Sequence, residues 1–397
     1  MKFWIITNEY LPQKGGLVSY TRNLALEIKK GGNEVEIIVS NSKNKELKEF
    51  EIVEGIKVHR VNYANVPVFL LPFGPMVYYF RIKKYLRKLD INNNDIVISR
   101  FYTFALAMTK VKNVKKHIFI TPLVAEKLQR LQAIKSKGIR KIYYYFTLPQ
   151  IKYLDTSAIK TTPYIGVLSE SKKKEIEKEY KIKNKKIAVI EPGIDINRFN
   201  IPTLLEKKKL RLEKGFNIEE KVLLCVCRLS TEKNLEILIE SMRLIKDDKI
   251  KLYIIGDGAL KQDLEQLIEK LKLNEKVKLL GAKENIEEYY KIADVFILPS
   301  KYEGFGHVYI EALASGLICI AAKSNPPKCV TASEEIIKDD KIGELIEYDD
   351  KNDIYKKIEK CFQKSTDYKE YRRKYVLNKY TWKKHYINIL RSFESND

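Results

Sequence analysis

The chain has 397 residues, 45% hydrophobic and 32% charged, with 25 Tyr and 15 Phe; this excludes a disordered or low-complexity protein and predicts two domains of roughly 200 residues. The net charge is +22, and residues 1–200 hold 37 Lys and Arg against 18 Asp and Glu, so most of the surplus falls on the first half. Nucleic acid, an anionic lipid surface or a phosphorylated acceptor would each suit a basic half, and charge alone does not choose among them.

The opening "MKFWIITNEYLP" has too short an apolar run for a signal peptide and reads as a first strand. Strand-like runs then alternate with amphipathic segments: Val18 to Lys30, "VEIIVS", "IKVHRV", Met76 to Leu89, "DIVIS", "HIFIT", "IGVL" and "KIAVI". This alternation predicts a mostly parallel sheet with helices on both faces. The uncharged stretch 61–80 is interrupted by Pro67, Pro72, Gly74 and Pro75, so no transmembrane helix is expected.

The pattern restarts after "EPGIDINRFNIP" with "VLLCVC", Glu232 to Lys246, "IKLYIIG", Leu260 to Leu271, "EKVKLLG", "DVFILP", a helix after Gly306 and "LICIAA". Two α/β units in series place a cleft between them, and loops following strands are where ligands bind in such sheets. Five cysteines without metal-ligand spacing fit a reducing, cytoplasmic setting, with Cys225 and Cys227 on one strand face as packing.

Four loops carry chemical signals. Gly15 and Gly16, between a strand and a helix, allow close backbone approach and offer N–H groups to a phosphate. In "CRLSTEKN", Arg228 ends a strand and Lys233 opens the next helix, an arrangement suited to clamping a diphosphate. In "IIGDG", Gly256 and Gly258 shape a turn, and Asp257 reads as a structural helix-start residue. The fourth is "SKYEGFGHVYIEALASG", with Glu303 in a loop and Glu311 on a helix beginning near Gly306.

Three readings compete for that pair of glutamates. A divalent metal would want further carboxylates nearby. A two-carboxylate glycosidase leaves the nucleotide-type loops unexplained. In the third, the N–H groups of Phe305, Gly306 and His307 hold phosphate while each carboxylate accepts sugar hydroxyls. Gly256 and Gly304 join these as donor-binding candidates, and His307 is expected to contribute through its backbone N–H.

Taken together, "KGG", "EPGIDINRF", "RLSTEKN", "IIGDG", "EGFGHVYIEALASG" and the ending "YTWKKHYINILRSF" resemble glycosyltransferase family 4, retaining enzymes of the two-domain GT-B fold. The resemblance implies two Rossmann-like domains: an acceptor domain over 1–195, a donor domain over 196–375, and a C-terminal helix over 376–397 packing back on the first. It implies that Arg228 and Lys233 bind the donor diphosphate, Glu303 the transferred sugar and Glu311 the ribose hydroxyls, with Glu303, Arg228 and Lys233 as the catalytic set. It implies no cofactor and no obligatory metal, since the cations and the helix N-terminus stabilise the leaving diphosphate. The implied donor is a nucleoside diphosphate sugar, UDP favoured and GDP possible, and the implied acceptor a glycan or lipid-linked saccharide.

There are two departures from the family pattern. The place at the end of the strand in "HIFITP" where members often carry a histidine holds Thr121 and Pro122, with His117 at the strand's start, and "SNPPKCVTASEE" lacks the glycines common there.

Between Glu126 and Asp155 no acidic residue occurs, while Lys127, Arg130, Lys135, Lys137, Arg140, Lys141 and Lys152 accumulate beside "YYYF" at 143–146. Tyr79, Ile82, Leu86 and Leu89 form an apolar stripe on a basic segment, which fits either a helix packed on a sheet or an anionic membrane surface. Peripheral contact with the inner face of the cell membrane is the expectation. A nucleic-acid-binding protein is the rival from another class, though no recognition motif supports it; an epimerase or phosphorylase of similar architecture is the rival enzyme.

Overall fold

The alternating segments resolve into two units, each on its own sheet, in a computed structural model that describes residues 1–13, 15–40, 47–61, 68–134, 138–182 and 187–394. Met1–Gly193 with Trp382–Asp397 form the first unit, and Ile194–Thr381 the second.

The first unit's strands are β1 (Lys2–Thr7), β2 (Glu34–Ser40), β3 (Phe50–Val53), β4 (Ile56–Val61), β5 (Ile96–Ser99), β6 (Lys116–Thr121), β7 (Tyr164–Val167) and β8 (Ile187–Val189). They lie in the order β3-β4-β2-β1-β5-β6-β7-β8, and every pairing is parallel except β3 with β4. Its helices are α1 (Gly16–Lys30), α2 (Gly74–Lys88), α3 (Tyr102–Val111), α4 (Ala125–Ile134), α5 (Ile139–Thr161) and α6 (Glu170–Tyr180). β1 is buried on both faces, which is why its sequence runs apolar without alternation.

The stripe on α2 turns inward. Tyr79, Ile82 and Leu86 are buried in one core with Phe104 and Met108 of α3, and Leu89 packs at its margin. Helix packing therefore takes this stripe, and it is not a membrane-facing one.

The second unit's strands are β9 (Lys221–Val226), β10 (Ile250–Ile255), β11 (Val277–Gly281), β12 (Val295–Leu298), β13 (Ile318–Ala322) and β14 (Gly343–Ile346). All pair in parallel, in the order β11-β10-β9-β12-β13-β14. Its helices are α7 (Leu204–Glu213), α8 (Leu235–Ser241), α9 (Lys261–Lys270), α10 (Ile286–Ile292), α11 (His307–Ala314), α12 (Ser333–Ile336), α13 (Lys351–Gln363) and α14 (Lys369–Lys379).

The helix expected over 232–246 contracts to α8. A single 3₁₀ turn, Thr231–Lys233, precedes it, and Asn234 breaks the run with φ 58° while its amide donates to Tyr348 O at 2.7 Å. Lys233 thus sits in a tight turn ahead of α8 and does not open that helix.

The chain enters and leaves the second unit side by side. Ile194 N–H donates to Tyr380 O at 3.0 Å, and Ile194 bridges to Thr381. The last helix, α15 (Trp382–Glu394), belongs to the first unit. His385 fastens it: Nε2 meets Tyr20 OH at 2.6 Å and Nδ1 donates to Glu191 O at 2.7 Å. Among the described residues no helix is long and apolar enough to cross a membrane.

Candidate functional site

In the second unit the strand order reverses between β9 and β12, the position where a parallel sheet opens a crevice beyond its carboxyl ends. The loop after β9 carries Arg228 and Lys233, and the loop after β12 carries Glu303. Residues 70 apart in sequence are thereby brought into contact: Lys233 Nζ lies 2.5 Å from Glu303 Oε2. Burial works against the charge on Lys233, but the Glu303 carboxylate more than offsets it and holds the ammonium's pKa above its ordinary value.

Arg228 has a partner that sequence reading missed. Its Nη2 donates to Glu232 Oε1 at 2.9 Å, and Ser230 Oγ donates to the same oxygen at 2.6 Å. Burial alone would raise the pKa of Glu232, yet these bonds bring it below its ordinary value. Both cations sit at one strand-to-turn corner, and each holds a carboxylate.

The Glu303 loop is pinned from both sides. Glu303 N–H donates to Val330 O at 3.0 Å, Val330 N–H to Lys301 O at 2.8 Å, and Lys301 N–H to Glu232 O at 2.7 Å. The segment "SNPPKCVTASEE", without its expected glycines, thus acts as a clamp: Asn325 and Cys329 pair within it, and Val330 bridges to Tyr302. Glu303 Oε1 accepts from Gly304 N–H at 3.3 Å.

Gly306 ends the loop at φ 92°, where a Cβ would stand 2.5 Å from the Tyr309 ring; only glycine fits this turn without strain. Phe305 is buried against Tyr380, ring centroids 5.5 Å apart, and the His307 ring lies 5.9 Å from Phe305. α11 starts at His307 with no side-chain cap and no acidic residue in its first turn, so its positively polarised end is not offset by its own sequence.

One turn on, Glu311 accepts from Tyr290 OH at 2.9 Å. The residue keeps some solvent contact, but burial of its carboxyl pushes the pKa up to about 7, opposed by the Tyr290 bond and the nearby Arg198 charge. Tyr290 lies fully buried on α10, and Arg198 is itself paired with Glu287 at 2.8 Å. Glu303 and Glu311 therefore have separate partners and do not form a hydrogen-bonded couple.

Gly256, φ 143°, stands against the same corner: a Cβ there would lie 1.8 Å from Cys227 O, and one on Gly258 2.3 Å from Leu229 O. These glycines let the loop after β10 lie flat against the loop after β9. Asp257 Oδ1 accepts from Gly258 N–H at 2.8 Å, a turn-shaping contact. Cys225 and Cys227 share one face with sulfurs 4.0 Å apart.

Gly15 and Gly16 belong to the first unit, at the start of α1, where a Cβ on either would meet nothing within 4 Å. Lys14 lies outside the described residues, as do Lys135 and Lys137, and the side chain of Arg140 is likewise not described. In the same unit Thr121 Oγ1 donates to Leu123 O at 2.8 Å, and His117 bonds Ser99 Oγ at 2.8 Å in the core.

Two family descriptions match the chain: "Glycosyl transferases group 1" over residues 206–382 and "Glycosyltransferase Family 4" over residues 14–198. An uncharacterized glycosyltransferase, MJ1607, of Methanocaldococcus jannaschii is 27% identical over 90% of this chain and 94% of its own length. N-acetylgalactosamine-N,N'-diacetylbacillosaminyl-diphospho-undecaprenol 4-alpha-N-acetylgalactosaminyltransferase of Campylobacter jejuni is 26% identical over 86% of this chain and 85% of its own. Among solved structures, HepE of Anabaena in complex with UDP and glucose superposes with a TM-score of 0.74 at 16% identity, over 100% of both chains.

Proposed function

The chain belongs to the glycosyl transferases group 1, in glycosyltransferase family 4 with its GT-B fold, and we propose that it transfers a hexose or N-acetylhexosamine, with retention, from a nucleoside diphosphate sugar to a saccharide or lipid-linked acceptor. The donor is a UDP-sugar by preference, a GDP-sugar as the second choice. The product belongs to cell-surface polysaccharide or glycolipid synthesis, in keeping with the diphospho-undecaprenol acceptor in the Campylobacter relative's name.

The observation that carries this reading is the Lys233–Glu303 pair at the strand reversal, beside the uncapped start of α11. A diphosphate lying there meets Arg228, Lys233 and the N–H groups of Phe305, Gly306 and His307, with Gly256 and Gly304 giving the backbone room to approach. When Lys233 turns to phosphate, Glu303 is released to accept hydroxyls of the sugar. Glu311 accepts the ribose hydroxyls, and Gly15 and Gly16 at the start of α1 are the first unit's own candidates for binding phosphate. Charge developing on the leaving diphosphate is then met by fixed donors, the main catalytic term, with no obligatory metal or other cofactor.

We place the protein in the cytoplasm, at the inner membrane face. Leu71 and Phe73, from the 3₁₀ segment Val68–Phe73, and Ile142, Tyr145 and Phe146 of α5 are exposed, as are Lys141 and Lys152. Gln150 Nε2 donates to Pro72 O at 2.7 Å, tying the two segments together. Exposed rings among cations suit a headgroup layer.

Incubation with radiolabelled UDP-, GDP- and ADP-sugars and a lipid-linked saccharide, with the product's anomer read by NMR, tests the reading. An α-linked product from an α-configured donor is expected. Release of sugar to water alone, an epimerised donor or a requirement for inorganic phosphate would replace it with a hydrolase, an epimerase or a phosphorylase.

A further inference from the structure

The first unit has its own strand reversal, between β1 and β5, and a buried cation stands there that the proposed chemistry does not use. Arg100 follows β5 directly and is 5% exposed. Its backbone N–H donates to Ile6 O at 2.8 Å, its Nη1 donates to Ile120 O at 2.9 Å, and its guanidinium carbon lies 3.9 Å from the centre of the Tyr20 ring on α1. Its Nε is buried without a hydrogen-bond partner, and among the described residues no carboxylate pairs with it.

Arginine does not give up its proton, so burial leaves a charge in place, and an unpaired buried charge is costly to a fold. Stacking on Tyr20 and one carbonyl bond position the guanidinium without neutralising it. Unpartnered hydroxyls stand on the same stretches of chain: Thr7 Oγ1 at the end of β1 and Thr103 Oγ1 in the first turn of α3. Thr7 and Thr103 are fully buried. A cation and hydroxyl donors favour negative charge, and here they follow or end the neighbouring strands β1 and β5.

The geometry points to an oxyanion site on the first unit, in which Arg100, with Thr7 and Thr103, holds a phosphate or carboxylate carried by the acceptor. It rests on the transferase reading only for the word acceptor; the site itself stands on the first unit alone. The anion comes from a charged saccharide or from the diphosphate of a lipid carrier, and both offer the oxygens that Arg100 lacks.

The test uses the full-length chain labelled with ¹⁵N-arginine. The Nε–H resonance missing from Arg100→Lys identifies Arg100, and it is followed as inorganic phosphate replaces chloride at constant ionic strength. Calorimetry then compares glucose, glucose 6-phosphate, glucuronate and geranyl diphosphate on the wild type, Arg100→Lys and Arg100→Gln, with UDP titrated into the same samples.

The Nε–H resonance is expected to move with phosphate. At least one anionic probe should bind about tenfold or more tightly than glucose, as charge-assisted bonds do, and Arg100→Gln should lose that preference. Preference for the charged sugars assigns the anion to the saccharide, and preference for geranyl diphosphate to the carrier; either supports the site. A resonance unmoved by phosphate, or an anion preference that survives in both variants, overturns it. Loss of UDP binding with anion binding intact would overturn the transferase reading and leave this site standing.

Discussion

Lys233 and Glu303 hold each other at 2.5 Å, so the group expected to meet phosphate and the group expected to meet sugar start from one ion pair. Lys233→Ala removes a charge-assisted contact worth about 1.5–3 kcal/mol and should weaken UDP binding by roughly 10- to 100-fold in calorimetry. Glu303→Ala should instead cut turnover in steady-state assays while UDP affinity changes little; unchanged activity in both variants would remove the pair from the account. Glu311 adds a proton. Its pKa stands near 7, and hydroxyls bonding to its carboxylate favour the charged form, so UDP binding at pH 6 should release protons and tighten as pH rises through 7. Titration in two buffers of different ionisation enthalpy reads that release, and Glu311→Gln should abolish it. The sign for stability is opposite. The unfolded chain loses this proton first, so Glu311 lowers stability progressively as pH rises from the ordinary carboxyl range to about 7.

At the level of elements, the strand at Asp294 to Pro299, the loop at Glu303 and the helix from Gly306 are legible in sequence, because an apolar run, a proline and two glycines punctuate them. The partners were not legible. Glu303 meets Lys233 only because the sheet places β9 beside β12, and Tyr290 meets Glu311 only because α10 packs near α11. The same limit explains the α2 stripe, whose spacing fits a membrane face as well as a core, and α8, where Asn234 found a distant carbonyl. The glycines differ in kind. Gly256→Ala should cost about 1–3 kcal/mol in urea unfolding, since its Cβ would overlap Cys227 O. Gly16→Ala meets open space and should leave stability unchanged or slightly raised; if Gly16 serves the donor, activity alone should fall.

Across the whole molecule the positive charge is less available than a count suggests. Lys127 pairs with Glu175 and Glu179, and Arg130 and Lys152 pair with Glu126, so part of the basic stretch is spent internally. What faces outward is aromatic as much as basic. The chain should therefore co-sediment with anionic vesicles better than with neutral ones, lose binding in Tyr145→Ala with Phe146→Ala, and weaken as salt rises; equal binding to both vesicle types, or none, would count against a membrane surface. Whether the second unit holds a nucleoside diphosphate is decided by calorimetric titration of the wild-type chain with UDP and, separately, with random-sequence DNA. Saturable one-to-one binding of UDP is the predicted result. Steeply salt-dependent binding of DNA with no heat from UDP would contradict it.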